Sequence, residues 1–146
     1  MPIQQQDKDC IFCKIAAGEI PAAKVYEDEE CFGFLDNHPL FPGHVLFCPR
    51  DHYETFTDVP PDLVGPLFLR GQLLTKAVES ALSAEGTFLA INNRISQTVP
   101  HLHLHIVPRR RRDGLKGFFW PRTKYRDEAD IEQVRAAIES EVRKLA

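Results

Sequence analysis

The sequence predicts an α+β domain with an antiparallel sheet, and three observations carry that prediction. Short apolar runs with the look of strands come first, separated by acidic or Pro/Gly turns. One long stretch of helical periodicity then divides them from two further strands. A second amphipathic stretch closes the chain. The order strands, helix, strands, helix suggests helices laid on an antiparallel sheet.

Each element has a local reason. Residues 1–9 are polar and are expected to fray. "CIFCKIAAGEIP" reads as a short helical turn stopped at Gly18, with Pro21 beyond it. "AKVYEDEECFGFLD" reads as two strands, about 24–27 and 31–36, joined by the acidic turn "EDEE". "HPLFPGHVLFCPRDH" holds a Pro/Gly turn and a third strand, 44–49, whose consecutive apolar residues predict cover on both faces. In "PPDLVGPLFLRGQLLTKAVESALSAEG", Val64, Leu67, Gly71, Leu74, Val78 and Leu82 recur at helical spacing. Asp62 is the expected N-cap and Gly86 the expected stop. "TFLAIN" at 87–92 is a fourth strand and 101–107 a fifth. "DEADIEQVRAAIESEVRKLA" is a second helix, with a stripe of Ile131, Val134, Ile138, Val142 and Leu145.

Composition bounds the function. The 146 residues have the size of one ordinary domain. We expect a single domain over 10–146, with an extension from about 110. A net charge of −3 argues against a general nucleic-acid binder, despite the local "RRRR" at 109–112. No apolar run approaches the ~20 residues of a membrane helix, and "MPIQQQDKDC" has no apolar signal-peptide core. The expectation is a cytoplasmic protein whose four cysteines are thiols or metal ligands.

The chemistry is concentrated in "TVPHLHLHIVPR", residues 98–109, which holds three of the six histidines. Successive strand side chains face opposite ways. His101, His103 and His105 therefore share one face, and Leu102, Leu104 and Ile106 the other. Neutral imidazole is a nucleophile, a proton carrier or a metal ligand. The row is thus a covalent-catalysis site, a three-histidine metal site, or a solvated face with no role.

"HLHLHIV" resembles the signature of the histidine triad (HIT) superfamily of nucleotide hydrolases and transferases. "CIFCKIAAGEIPAAKVYEDEECFGFLDNHPLFPGHVLFCPRDH" resembles that family's N-terminal half, and "INNRISQTVPHLHLHIVPR" its active-site strand and preceding loop. The resemblance spans about residues 10–109 and implies a HIT-like fold. It further implies that His103 attacks the α-phosphorus of a nucleotide to form a nucleotidyl-histidine intermediate. His105 would contact the phosphate, with His44 nearby. Asn92, Gln97 and Thr98 match positions that hydrogen-bond the phosphate or leaving group, in a loop about two residues shorter than the Gly-rich form. Asp36 matches the acidic residue that binds ribose hydroxyls; its local alternative is a turn cap. Asn93 reads better as a turn residue. Phe12, Ile15 and Phe34 suit either a base pocket or the core.

Cys10-x-x-Cys13 alone is a redox motif or half a metal site, and the strand context of a redox motif is missing. The resemblance implies two more ligands, His52 and His101. Cys2His2 is a closed tetrahedral set, so the zinc would be structural. Cys31 and Cys48 read as core. "GFFW" at 117–120 would close a dimer or cover the nucleotide pocket, and the resemblance implies a homodimer. The implied substrates are purine nucleotides, as adenosine phosphoramidates or dinucleoside polyphosphates. A nucleotide-binding regulator with little turnover is the alternative.

Overall fold

Five strands form one antiparallel sheet in the order β1-β2-β3-β5-β4: β1 is Lys24–Glu27, β2 Cys31–Leu35, β3 Val45–Pro49, β4 Gly86–Ala90 and β5 Leu104–Arg109. Three helices accompany them: α1, Ile11–Ala16; α2, Pro61–Leu82; and α3, Glu128–Leu145. The structure is a computed structural model describing residues 6–115 and 122–146. Residues 117–120, expected to cover a pocket or close a dimer, lie outside the described residues. The chain divides into two units, Met1–Asp113 and Gly114–Ala146.

The consecutive apolar residues of β3 are buried on both faces, as expected. Leu46 and Cys48 point to a core shared with Phe12, Ile15, Phe32 and Phe34, under α1. Val45 and Phe47 point to a second core with Leu67, Leu74, Val78, Leu102 and Ile106, under α2. The α2 stripe is the predicted one, and Gly71 in it has a reason. A Cβ there would lie 3.1 Å from Leu104 Cδ2, tighter than an ordinary contact, so glycine lets helix and sheet approach closely without displacing that side chain.

Several boundaries differ from expectation. Pro60 is the N-cap of α2, and Asp62 sits in its first turn. The helix stops at Ser83, which takes the left-handed conformation (φ 50°), and Gly86 instead opens β4. Strand β4 ends at Ala90 rather than at 92. Strand β5 begins at Leu104, so His101 and His103 precede it. Leu102 N–H donates to Tyr53 O (2.7 Å) instead of to a neighbouring strand. The alternation survives because it needs only extended backbone, not a ladder.

In the second unit, the Asp127 side chain caps α3 by accepting Asp130 N–H (2.8 Å). Ile131, Val134, Ile138, Val142 and Leu145 are all exposed. Among the described residues, no helix is long and apolar enough to cross a membrane.

Candidate functional site

The face of the sheet under α1 collects the histidines. His101 and His103 are buried, at 0% and 5% exposure, and His44, just before β3, is at 3%. Hydrogen bonds to backbone groups set their tautomers, because a carbonyl only accepts and an N–H only donates. His103 Nδ1 lies 2.7 Å from His101 O, so Nδ1 carries the proton and Nε2 keeps a lone pair. Leu40 N–H donates to His44 Nδ1 (3.1 Å), so the proton of His44 is on Nε2. His44 Nε2–H then donates to His105 Nδ1 (2.9 Å), which leaves His105 with Nε2–H as a donor. The His103 and His105 rings are 4.9 Å apart. A nucleophilic nitrogen and an N–H donor thus stand side by side.

Burial keeps these rings neutral. It lowers the pKa values of His44 and His103 below the ordinary 6.5, and that of His105 to about 4. Asp36 acts in the opposite direction on all three, but more weakly than burial. Asp36 Oδ2 lies 3.8 Å from His44 Nδ1, yet that nitrogen is unprotonated, so the contact is not an ion pair. Asp36 Oδ1 accepts His38 N–H (2.9 Å), the turn cap weighed from the sequence.

Stability follows with a definite sign. The unfolded chain binds a proton on His105 near 6.5, whereas the folded chain holds off until about 4. Between those values the unfolded state carries more protons, so stability rises with pH. It is whole above about 6.5 and is lost as pH falls toward about 4. Thermal melts across that window should show a falling Tm, and His105→Gln should flatten the slope. An unchanged slope in the variant would rule out His105 as a source.

The loop before the triad is tied to the segment after β3. Asn93 Oδ1 accepts Phe56 N–H (3.0 Å), a long-range tie rather than the local turn bond expected of it. Gln97 Nε2 donates to Glu54 O (2.5 Å), and Gln97 Oε1 accepts Arg94 N–H (2.8 Å). This amide therefore ties the loop both to itself and to the segment after β3. Asn92 is half-buried and Thr98 exposed. Arg94 and Ser96 both take positive φ (67° and 60°), so the loop follows a tight path.

Cys10, Cys13, His52 and His101 converge, with ligand atoms all within 4.8 Å of one another. Cys10 Sγ is 3.4 Å from His101 Nδ1, and Cys13 Sγ is 3.3 Å from His52 Nδ1 and 3.5 Å from His101 Nδ1. A tetrahedral zinc with ordinary Zn–S and Zn–N bonds has S···N edges of roughly 3.5 Å, so the residues fit that ion. His101 Nε2–H donates to Pro49 O (2.8 Å), the outer support expected of a ligand histidine. Burial keeps His101 neutral, with its pKa lowered to about 4, and pushes the pKa of the Cys13 thiol up to about 12. A cation among the sulfurs would remove the cost of ionising such a thiol. Both nitrogens of His101 are engaged here, so it cannot join His103 and His105 around a second metal. That geometry disfavours the three-histidine metal site.

What the sequence did not reveal is the set of backbone partners, Leu40 N–H and the Pro49 and Glu54 carbonyls. It also missed the His44–His105 bond. No local pattern signals a contact between residues 61 positions apart.

A family model described as the HIT domain matches residues 17–112. The adenylylsulfatase HINT3 of Arabidopsis thaliana is 40% identical over 109 residues, which are 73% of this chain and 55% of that protein. The chain thus spans little more than half the length of that relative. The adenosine 5'-monophosphoramidase HNT1 of Candida albicans is 35% identical over 118 residues, 77% of this chain and 78% of that one. Among solved structures, a HIT family member from Bacillus subtilis superposes with a TM-score of 0.83 at 33% identity, covering 91% of this chain and 96% of its own. A zinc-bound histidine triad family protein from Mycobacterium smegmatis gives 0.69 at 38% identity, covering 88% and 97%.

Proposed function

The chain belongs to the histidine triad (HIT) family, and from that premise we propose that it is a hydrolase or nucleotidyl transferase acting at the α-phosphorus of a purine nucleotide. The observation that carries the reading is the 2.7 Å bond between His103 Nδ1 and His101 O, which leaves the Nε2 lone pair of a neutral ring for attack. Relatives that cleave adenylyl sulfate and adenosine phosphoramidate, by their names, support the substrate class.

His103 Nε2 attacks the α-phosphorus; the N–P bond forms and the bond to the leaving group breaks. The His101 carbonyl stabilises the positive charge that develops on the ring. His105 Nε2–H donates to a phosphate oxygen as charge builds there. Water then attacks the same phosphorus, the N–P bond breaks, and the monophosphate leaves. In sum the water's oxygen ends on phosphorus and its proton on the leaving group. Asp36 Oδ2 accepts from the ribose, while Asn92, Gln97 and Thr98 serve the phosphate or leaving group. Gln97 must first give up its bond to Glu54 O. Bound at Cys10, Cys13, His52 and His101, zinc would tie the N-terminal segment to the triad and take no part in the displacement.

The reading extends to a cytoplasmic homodimer with no nucleic-acid or membrane partner. β4 is an edge strand, and Leu89 on it and Phe68 on the neighbouring face of α2 are exposed, which suits a second copy.

The test is AMP release from adenosine phosphoramidates, adenylyl sulfate and diadenosine polyphosphates, with a quench that preserves acid-labile phosphoramidates. Turnover with a nucleotide covalently held on the protein is the expected result. Tight AMP binding without turnover or adduct would overturn it in favour of a regulator.

A further inference from the structure

We propose that α3 pairs antiparallel with α3 of a second copy of this chain, the two apolar stripes meeting across a two-fold axis at Ile138. The helix runs for 18 residues and buries none of them. Helices of that length are marginal in water, and packing of an amphipathic face supplies most of their stability in proteins. Here the face is formed and bare: Ile131, Val134, Ile138, Val142 and Leu145 are between 38% and 85% exposed. The rest of the helix surface satisfies itself. Arg135 pairs with Glu132 and Glu139, Arg143 with Glu139, and Lys144 with Glu141, all within the helix.

The spacing of the stripe says what fits it. Ile131 and Leu145 lie seven residues to either side of Ile138, and Val134 and Val142 four to either side. At 3.6 residues per turn, all five fall within about 40° of the direction of Ile138. A two-fold interface requires such a self-match, because a residue that meets another must in turn be met by it. Laid end to end on its own copy, the stripe gives five apolar layers: Ile131 on Leu145, Val134 on Val142, Ile138 on Ile138, and the first two again in reverse. A groove elsewhere on a partner would set no such condition. Charge selects the antiparallel direction. The first turn of α3 is acidic, with Glu128 and Asp130, and the last turn is basic, with Arg143 and Lys144. Antiparallel pairing sets the acidic end of each helix beside the basic end of the other and opposes the two helix dipoles. A parallel pair would set like charge beside like at both ends. Five side chains per helix make a small contact beside the roughly 1,200–2,000 Å² of a free-standing interface. The pair is therefore a clamp between copies that also touch elsewhere, as they would along β4.

The test uses the full-length, zinc-loaded chain with single cysteines placed in α3, under an oxidant mild enough to leave the wild type uncrosslinked. Its own four cysteines are buried. Ile138→Cys should form a covalent dimer readily, and Ser140→Cys, exposed on the opposite side of the helix, should not. Ile131→Cys and Leu145→Cys should each fail alone and crosslink when mixed. In the antiparallel pair each stands about 21 Å from its own copy, 14 residues at ~1.5 Å, too far for a disulfide. Ile138→Glu would bring two carboxylates together in an apolar layer. It should raise the dissociation constant of the assembly, read by sedimentation, by about tenfold or more. Ser140→Glu should leave that constant unchanged. Self-crosslinking of Ile131→Cys would show a parallel pair and overturn the proposal. So would weakened association in Ile138→Glu without a crosslink at position 138, which would put the stripe on another surface of the second copy. A monomeric wild type would overturn it too. None of these readouts depends on turnover, so the fate of the proposed function does not decide them.

Discussion

His103→Asn is expected to reduce AMP release by about 1,000-fold or more, the scale seen when a covalent nucleophile is removed. Asparagine can still donate to the His101 carbonyl, but its amide nitrogen has no lone pair fit to attack phosphorus. Nucleotide affinity should change little, because the residues proposed to hold ribose and phosphate, Asp36, His44, Gln97 and Thr98, are untouched. The two effects must separate: turnover is lost while binding, measured by calorimetry with AMP, persists. His105→Ala should cost less, because it removes a donor and leaves the nucleophile. A variant retaining about a tenth of wild-type turnover would have lost only ~1.4 kcal/mol of barrier lowering, too little for a covalent role.

Removing the metal should be the largest perturbation of stability. Structural zinc binds with roughly 10–16 kcal/mol, comparable to the roughly 5–15 kcal/mol stability of a whole domain. Even partial loss of that energy should lower Tm by about 10 °C or more. The wild type should carry one zinc per chain, and Cys13→Ser should carry none and melt early without a chelator. Cys31, buried in the core under α2 away from the metal set, supplies the control. Cys31→Ala should lose some packing energy and keep its zinc. A chelator that strips no metal, or leaves the melting curve where it was, would remove zinc from the account of this fold.

The candidate site was legible where its signals were local. The period-two run at residues 101–106 announces one polar and one apolar face. The structure sets Leu102, Leu104 and Ile106 against the α2 core even though only part of the run joins the ladder. The spacing of Cys10 and Cys13 alone left a redox motif or half a metal site, and the structure brings them together with His52 and His101. The unbroken apolar run of β3 announces a strand covered on both faces. Such features depend on the geometry of one extended or helical segment, so they survive errors of two or three residues in its ends.

Other features were decided by pairings that no local pattern records. His44 and His105 bond across 61 positions, and Cys10 meets His101 across 91. Ser83 rather than a glycine ends α2. Gln97 turns inward to Glu54 because the short loop brings that carbonyl within reach. The tautomers of three histidines depend on carbonyls and N–H groups that every residue possesses and that only folding brings together. By itself, then, the sequence determined which side chains share a face and which chemistry they can perform. The tertiary structure decided which nitrogen carries each proton, because that depends on how the folded backbone presents His101 O to His103, Leu40 N–H to His44 and, from β3, Pro49 O to His101.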